Sequence, residues 1–126
     1  MEIDIPEVVA EVTAEFAAYE RALIENDVAA LDRFFWNDAR VLRYGVGEHL
    51  YGHAAIAAFR ASRPVDTRAP PRAIPRQEIH TFGRHYAVAN IEFTRPGQAR
   101  IGRQTQTWVR MAECWRIVAA HVSLMG

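Results

Sequence analysis

The chain of 126 residues is 50% apolar and 24% charged, with a formal net charge of zero at pH 7. These values are typical of one soluble globular domain, here residues 1–126, and no apolar run approaches the roughly 18 residues that span a membrane. The acidic start, MEIDIPEVVAEV, is unlike a signal peptide, so we expect a cytoplasmic protein that does not bind membranes.

Arginine supplies every basic side chain apart from the histidines, and it is unevenly distributed. Residues 1–48 contain eleven acidic residues and four arginines, whereas residues 49–126 contain four acidic residues and eleven arginines. A GC-rich genome can favour arginine by itself, but arginine also binds carboxylates in bidentate geometry, which is compatible with a small anionic ligand. The dispersed arginines argue against nucleic acid. The single Cys114 has no metal-ligand spacing around it, so neither a metal site nor a cofactor is predicted.

Two helices open the predicted architecture. Apolar residues at three- and four-residue steps predict an amphipathic helix over residues 4–25 and a second helix from Val28 to Phe35. Tyr19 falls in the apolar stripe of the first helix. It is either a core residue with a satisfied hydroxyl or a proton donor at the floor of a pocket. Trp36 follows directly and either packs in the core or lines the mouth of a pocket.

A short strand with an arginine inside it comes next. The segment Arg40 to Val46, RVLRYGV, alternates so that Val41, Arg43 and Gly45 share one face. If that face is buried, the charge of Arg43 requires an internal acid or an external anion as its partner.

The second half of the chain is predicted to be mostly strands. A third helix, Gly52 to Ser62, has Arg60 near its C-terminus, where a cation is favoured, and the proline-rich segment Pro64 to Arg72 forms a stiff crossover. Alternating apolar residues and turn signals then predict four consecutive antiparallel strands: Ile74 to Phe82, His85 to Thr94, Gln98 to Met111 and Trp115 to Leu124.

The last hairpin carries an unusual load of polar side chains. Its two strands flank a three-residue connection, Ala112 to Cys114. Gln104 and Gln106 share one face of the outgoing strand and can hydrogen-bond a ligand. His121, on the returning strand, is either a satisfied core histidine or a general base.

Together these elements indicate an α+β domain. Three helices, a short strand and a four-strand meander predict helices packed on one face of a curved antiparallel sheet. Such a sheet and a helical hairpin enclose a cone-shaped half-barrel, and its concave interior is the usual place for a small ligand.

Four segments carry a resemblance to a known family. YERALIENDVAALDRFFW, RYGVGEHLYG, AFRASR and GRQTQTWVRM..CWRIVAAHVSLM together resemble the AtzH-like family, also called the oxalurate-catabolism HpxZ type. That family lies in the nuclear-transport-factor-2-like superfamily, beside SnoaL-like proteins and ketosteroid isomerase. The resemblance implies the cone-shaped fold and a homodimer packed through the sheet.

The resemblance also implies a function in the bacterial catabolism of small carboxylated ureas or ureides, alongside amidases. One branch of the family is a decarboxylating amidohydrolase of 1,3-dicarboxyurea, in which a tyrosine on the first helix and an arginine on the following strand are essential. These residues correspond to Tyr19 and Arg43, which the resemblance therefore implies are catalytic. We expect Gln104, Gln106, Trp36 and His121 to bind the substrate.

The leading hypothesis is a cofactor-free hydrolase or decarboxylase of a carboxylated urea derivative. The sequence contains no Ser-His-Asp or Ser-Lys pattern, so water attack or direct decarboxylation has to suffice. The main alternative is a non-catalytic carboxylate-binding or accessory subunit of an amidase pathway, since this fold often serves as a scaffold. A third is isomerase chemistry with Asp38 or Glu48 as the base, although both are expected to be surface residues at strand ends. The sequence leaves open the true substrate and the order of carbon–nitrogen cleavage and decarboxylation.

Overall fold

The order of helices and strands follows the predicted order closely. The computed structural model describes residues 1–63, 71–112 and 114–126, so most of the predicted crossover from Pro64 to Arg72 lies outside the described residues. The elements are α1 (Pro6–Glu25), α2 (Val28–Phe34), β1 (Leu42–Tyr44), β2 (His49–Tyr51), α3 (His53–Ala61), β3 (Ala73–Phe82), β4 (Tyr86–Thr94), β5 (Gly102–Met111) and β6 (Cys114–Leu124).

The three predicted helices are confirmed, and local chemistry explains where they end. Pro6 lies in the first turn of α1, where its missing N–H is harmless. Asn26 adopts a left-handed conformation with φ 53°, and the N–H groups of Asn26 and Asp27 donate to carbonyls of the last turn. The side chain of Asp27 then accepts a hydrogen bond from the N–H of Ala30 at 3.2 Å, which caps α2. These adjoining caps produce the helical hairpin.

The sheet has six strands in the order β2-β1-β6-β5-β4-β3, and it is mixed rather than wholly antiparallel. The expectation of an antiparallel sheet is wrong at one place, because β1 pairs in parallel with β6. The predicted strand from Arg40 to Val46 is also too long. A tight turn, in which the N–H of Gly45 donates to the carbonyl of Glu48 at 2.9 Å, sends the chain back as the unpredicted strand β2.

A β-bulge changes which side chains of β6 face the helices. Thr107 pairs with Ala119, whereas Trp108 pairs with Ile117, so Val118 is the extra residue. Such a bulge shifts the alternation of side chains by one position. Trp115 and Ile117 are therefore buried before the bulge and Ala120 after it. At the end of the hairpin Met111 pairs with Cys114, so the strand begins one residue before the predicted start.

The helices pack on the concave face of the sheet and form the hydrophobic core. The alternation predicted for β4 is confirmed, since every second residue from Ala87 to Phe93 is buried. The largest fully buried side chains are those of Trp108, Phe16, Phe35, Leu31 and Ile56. Among the described residues, no helix is both long and apolar enough to cross a membrane.

Candidate functional site

A cavity opens beside this core, between the first and third helices and the inner face of the sheet. Its volume is about 250 Å³. Its lining includes Tyr19 of α1, Arg60 of α3, Arg43 of β1, and Gln104 and Val122 of the last hairpin. The volume is below the roughly 300–1,000 Å³ of pockets for drug-sized ligands, so a smaller molecule is indicated. Two larger hollows lie along α1, but neither contains Tyr19 or Arg43.

Tyr19 forms the floor of the cavity and contacts a buried arginine. It follows Val12 and Phe16 on the apolar stripe of α1, and it is 3% exposed. Its hydroxyl oxygen accepts a hydrogen bond from Nη2 of Arg60 at 3.0 Å. Arg60 is 2% exposed, because it lies one helical turn after the buried Ile56 on the inner face of α3. Arg60 lies in the last turn of α3, as predicted, and its side chain is also buried against the cavity, which was not predicted from the sequence.

Arg43 enters the same cavity from β1. Its side chain is 14% exposed, and its Nη1 lies 3.0 Å from Oε1 of Glu48. Its guanidinium carbon is 5.6 Å from the centre of the Phe59 ring. Glu48 lines the cavity, which corrects its assignment as a surface residue. Glu48 can occupy this position because residue 45 is a glycine: a Cβ on residue 45 would lie 1.7 Å from Oε1 of Glu48.

The electrostatic environment of Arg43 favours an additional anion. Burial lowers the pKa of the Arg43 guanidinium, and the positive charge of Arg60 acts in the same direction, while Tyr19 and Glu48 oppose the shift. Arginine nevertheless stays protonated in proteins. Two neighbouring guanidinium groups with restricted access to water are stabilised by a negative charge placed between them.

A third arginine, Arg72, also lines the cavity. Arg72 has a side chain that is only 4% exposed, and it is ion-paired with Glu20, with Nε 3.1 Å from Oε2. Its Nη2 also donates to Oε1 of Gln104 at 3.3 Å, and its guanidinium carbon lies 4.4 Å from the Phe93 ring centre. Nε2 of Gln104 is buried and has no hydrogen-bond partner among the described residues. A ligand acceptor would satisfy that donor.

The cavity lining carries more positive than negative charge. Over the part of the chain that the structure describes, its lining includes one carboxylate, Glu48, and Glu20 contacts the wall through Arg72. Burial, followed by the nearby charge of Arg72, also lowers the pKa of Arg95. A small anion is therefore the class of ligand that this site favours. The guanidinium groups of the lining belong to Arg43, Arg60, Arg63, Arg72 and Arg95.

Of the six residues predicted to form the site, three line this cavity: Tyr19, Arg43 and Gln104. Gln106 lies on the same face as Gln104, but it is 1% exposed and accepts a hydrogen bond from Nε1 of Trp108 at 3.2 Å within the core. Trp36 packs against the edge of the core, with the guanidinium of Arg40 4.7 Å from its ring centre. Neither Gln106 nor Trp36 is part of the cavity lining.

His121 lies on the opposite face of the sheet. The bulge at Val118 turns it outward, where it is exposed and its ring lies 5.5 Å from the ring of Tyr44. It is therefore neither a core histidine nor a neighbour of the cavity.

The described residues include no group of three or more His, Cys, Asp or Glu side chains placed to hold a metal ion. Among the described residues, the polar groups that line the cavity are five guanidinium groups, two amides and a phenol, with a single carboxylate. These groups bind anions rather than cations.

Solved structures similar to this chain share its fold over almost its full length. A protein of unknown function from Pectobacterium atrosepticum is 54% identical, with a TM-score of 0.92, and the match covers 98% of this chain and 95% of that chain. A cystatin-like fold protein from Burkholderia xenovorans is 43% identical, with a TM-score of 0.93, and the match covers 100% of this chain and 98% of that chain. No curated protein matches this chain.

A more distant structure has the same fold. A nuclear-transport-factor-2-like protein from Salmonella enterica is 23% identical with a TM-score of 0.76, covering 95% of this chain and 92% of that chain, which shows the fold alone. The family model described as AtzH-like matches residues 1–126, as the sequence motifs indicated. This chain therefore belongs to the AtzH-like family and has the nuclear-transport-factor-2-like fold.

Proposed function

We propose that this protein is a cofactor-free hydrolase or decarboxylase of a small carboxylated urea or ureide, of the 1,3-dicarboxyurea type, in bacterial nitrogen-compound catabolism. One observation carries the proposal. The hydroxyl of Tyr19, a proton donor, lies in a small cavity beside the guanidinium groups of Arg43 and Arg60. The first group can move a proton, and the other two can hold a carboxylate.

Decarboxylation of such a substrate requires little machinery beyond charge and one proton. The carbon–nitrogen bond to the terminal carboxylate breaks, carbon dioxide leaves, and the electron pair stays on nitrogen, which takes up a proton. The carboxylate that departs loses its charge as the bond breaks. A guanidinium bound to it would therefore stabilise the ground state more than the transition state.

The reacting end of the substrate therefore belongs near Tyr19, and the retained carboxylate belongs on Arg43. Tyr19 would give its proton to the nitrogen as the carbon–nitrogen bond breaks. Negative charge also develops on the urea carbonyl oxygen, where a donor such as Nε2 of Gln104 would stabilise it. The substrate carboxylate would share Arg43 with Glu48, the carboxylate that now contacts it at 3.0 Å.

The isomerase alternative loses its candidate bases. Hydrogen bonds from Arg40 lower the pKa of Asp38 to about 2, which makes its carboxylate a poor base. Asp38 is also absent from the cavity lining, and the carboxylate of Glu48 is ion-paired with Arg43. Both arrangements weaken proton abstraction from an apolar ligand.

The accessory-subunit alternative uses the same site without chemistry. The arginines of the cavity could hold a small carboxylate while an amidase partner carries out the reaction.

The homodimer through the sheet, the amidase partner and the cytoplasmic location all stay predictions. A dimer of that kind would cover the outer face, where an aromatic cluster lies, formed by Tyr44, His49, Tyr51 and His121.

The test measures carbon dioxide release from 1,3-dicarboxyurea. Tyr19→Phe and Arg43→Ala are each expected to lower kcat/KM by about 100-fold or more, because they remove the proton donor and the carboxylate anchor. Tyr44→Phe on the outer face is the matched control and should retain full activity. Circular dichroism should show that each variant is folded.

Two outcomes would contradict the proposal. Turnover by the two cavity variants at the wild-type rate would remove Tyr19 and Arg43 from the chemistry. Tight binding of small carboxylates by a wild-type protein that turns none of them over would favour the accessory subunit.

A further inference from the structure

We propose that Arg60 is a second ligand-binding cation, which contacts the same anionic group of the ligand as Arg43 and turns the hydroxyl hydrogen of Tyr19 toward the ligand. The inference rests on the proposed function for the class of ligand. The observation behind it is that Nε of Arg60 is buried and has no hydrogen-bond partner among the described residues.

The charge of Arg60 has no counterion within the part of the chain that the structure describes. The side chain is 2% exposed and lines the cavity, and among the described residues its side-chain hydrogen bond goes to the hydroxyl of Tyr19 rather than to a carboxylate. An arginine buried without an acid is unfavourable for folding, because it loses its hydration and gains no ion pair. Such a group persists where a ligand supplies the missing charge.

Arg60 also lies close enough to Arg43 to influence it. The positive charge of Arg60 contributes to lowering the pKa of Arg43. Arg43 has a carboxylate partner in Glu48, whereas Arg60 has no carboxylate partner among the described residues. An anion between the two guanidinium groups would remove this repulsion and satisfy Nε of Arg60. Arg43 and Arg60 are therefore expected to bind the same negatively charged group.

The direction of one hydrogen bond gives Arg60 a further effect. A guanidinium only donates, so the phenolic oxygen of Tyr19 is the acceptor in its 3.0 Å contact with Nη2 of Arg60. The hydroxyl hydrogen of Tyr19 must then point away from Arg60. The Tyr19 hydroxyl can therefore donate a hydrogen bond to a ligand bound in the cavity.

Binding of malonate, a small dicarboxylate, tests the inference without any need for turnover. Isothermal titration at constant ionic strength should give a Kd about 10- to 100-fold higher for Arg60→Met than for the wild type, because a charge-assisted hydrogen bond is lost. Without ligand, the Tm of Arg60→Met should equal or exceed the wild-type Tm, since methionine fills the space with no buried charge. If Arg60 had only a structural role, Arg60→Met would lower the Tm and leave the Kd for malonate unchanged.

Arg103 provides the matched control. It is exposed on β5, so Arg103→Met makes the same change of charge and size outside the cavity and should leave the Kd for malonate unchanged. Arg60→Lys keeps the charge but loses the planar fork, and its Kd should be at least about threefold above the wild-type value. This variant decides the question if Arg60→Met does not fold.

Wild-type affinity for malonate in Arg60→Met or, if that variant does not fold, in Arg60→Lys would overturn the inference. A wild-type protein that does not bind malonate at millimolar concentration would overturn it too. Absence of turnover with malonate binding intact would count against the proposed reaction alone.

A double-mutant cycle tests the effect on Tyr19. Tyr19→Phe should weaken malonate binding less in the Arg60→Met protein than in the wild type, because the hydroxyl proton is then no longer directed at the ligand. If the two substitutions change the free energy of malonate binding additively, Arg60 does not orient the hydroxyl hydrogen of Tyr19.

Discussion

Gln104 and Gln106 lie two residues apart on the same face of β5, yet they belong to different regions of the molecule. Gln106 lies in the core, where its side-chain oxygen accepts the Trp108 hydrogen bond at 3.2 Å. Gln104 lies at the cavity, where its oxygen accepts from Arg72 and its buried Nε2 has no partner among the described residues. The amide oxygen of Gln106 thus has an internal donor, whereas Nε2 of Gln104 is a buried donor that a ligand could satisfy. If the proposed function is right, the first region stabilises the fold, and the second gives up stability in order to bind a ligand.

The largest expected effect comes from the core region. Trp108 is 0% exposed and is the largest of the fully buried side chains. Trp108→Ala should lower the free energy of unfolding by about 3–5 kcal/mol, because it removes a large apolar surface and leaves a void. Urea unfolding followed by circular dichroism measures the change. Val122→Ala at the half-buried cavity wall is the control, and a loss of similar size there would contradict the division between the regions.

Replacing each glutamine with leucine sharpens the comparison. Gln106→Leu should lower the free energy of unfolding by about 1–3 kcal/mol, because the buried Nε1 of Trp108 loses its acceptor. Gln104→Leu removes a donor that has no partner among the described residues, and Arg72 keeps its ion pair with Glu20. The change in unfolding free energy should therefore stay within about 1 kcal/mol.

The affinity for malonate should show the opposite order. Gln104→Leu should raise the Kd severalfold, while Gln106→Leu should leave it unchanged at temperatures where the protein is folded. If Gln104→Leu and Gln106→Leu lower the free energy of unfolding equally, the two amides contribute equally to stability and the distinction between core and cavity is wrong.

The sequence predicts the core region better than the cavity region, for a physical reason. The apolar stripe that includes Tyr19 and the alternation of β4 are local patterns, so they predict the buried faces correctly. The contact between Tyr19 and Arg60 joins residues 41 positions apart, and no local pattern contains it. The spacing of Arg60 four residues after Ile56 was the available signal, since it places Arg60 on the buried face of α3.

Three further departures from the prediction have equally specific causes. Gly45 and the turn that follows it bring Glu48 back onto Arg43, which a reading of the segment as one strand cannot foresee. Strict alternation from Trp115 and Ile117 would place His121 inside, but the bulge at Val118 reverses the faces after it. The parallel pairing of β1 with β6 likewise depends on the whole chain between them.

The smallest expected effect belongs to an exposed ion pair that lies in neither region. His80 Nδ1 is 2.9 Å from Oδ2 of Asp4, whose Oδ1 accepts from the N–H of Thr81 at 2.9 Å. The Asp4 carboxylate raises the pKa of His80, with a smaller contribution from Glu78, and His80 lowers the pKa of Asp4. The His80 contribution is fully present below the ordinary pKa of 6.5 and is lost as the pH rises through the raised value. The Asp4 contribution is present above 3.8 and is lost as the pH falls through the lowered value.

The pair should therefore stabilise the fold most between pH 3.8 and 6.5. His80→Gln should lower the Tm by only about 1–2 °C at pH 5.5, because exposed ion pairs are well screened by water, and the difference should vanish by about pH 9. Differential scanning fluorimetry across this pH range measures it. His85→Gln is the matched control, since His85 is also exposed and lies in the turn between β3 and β4. A Tm difference that persists unchanged at pH 9 would show that His80 acts through packing rather than through its charge.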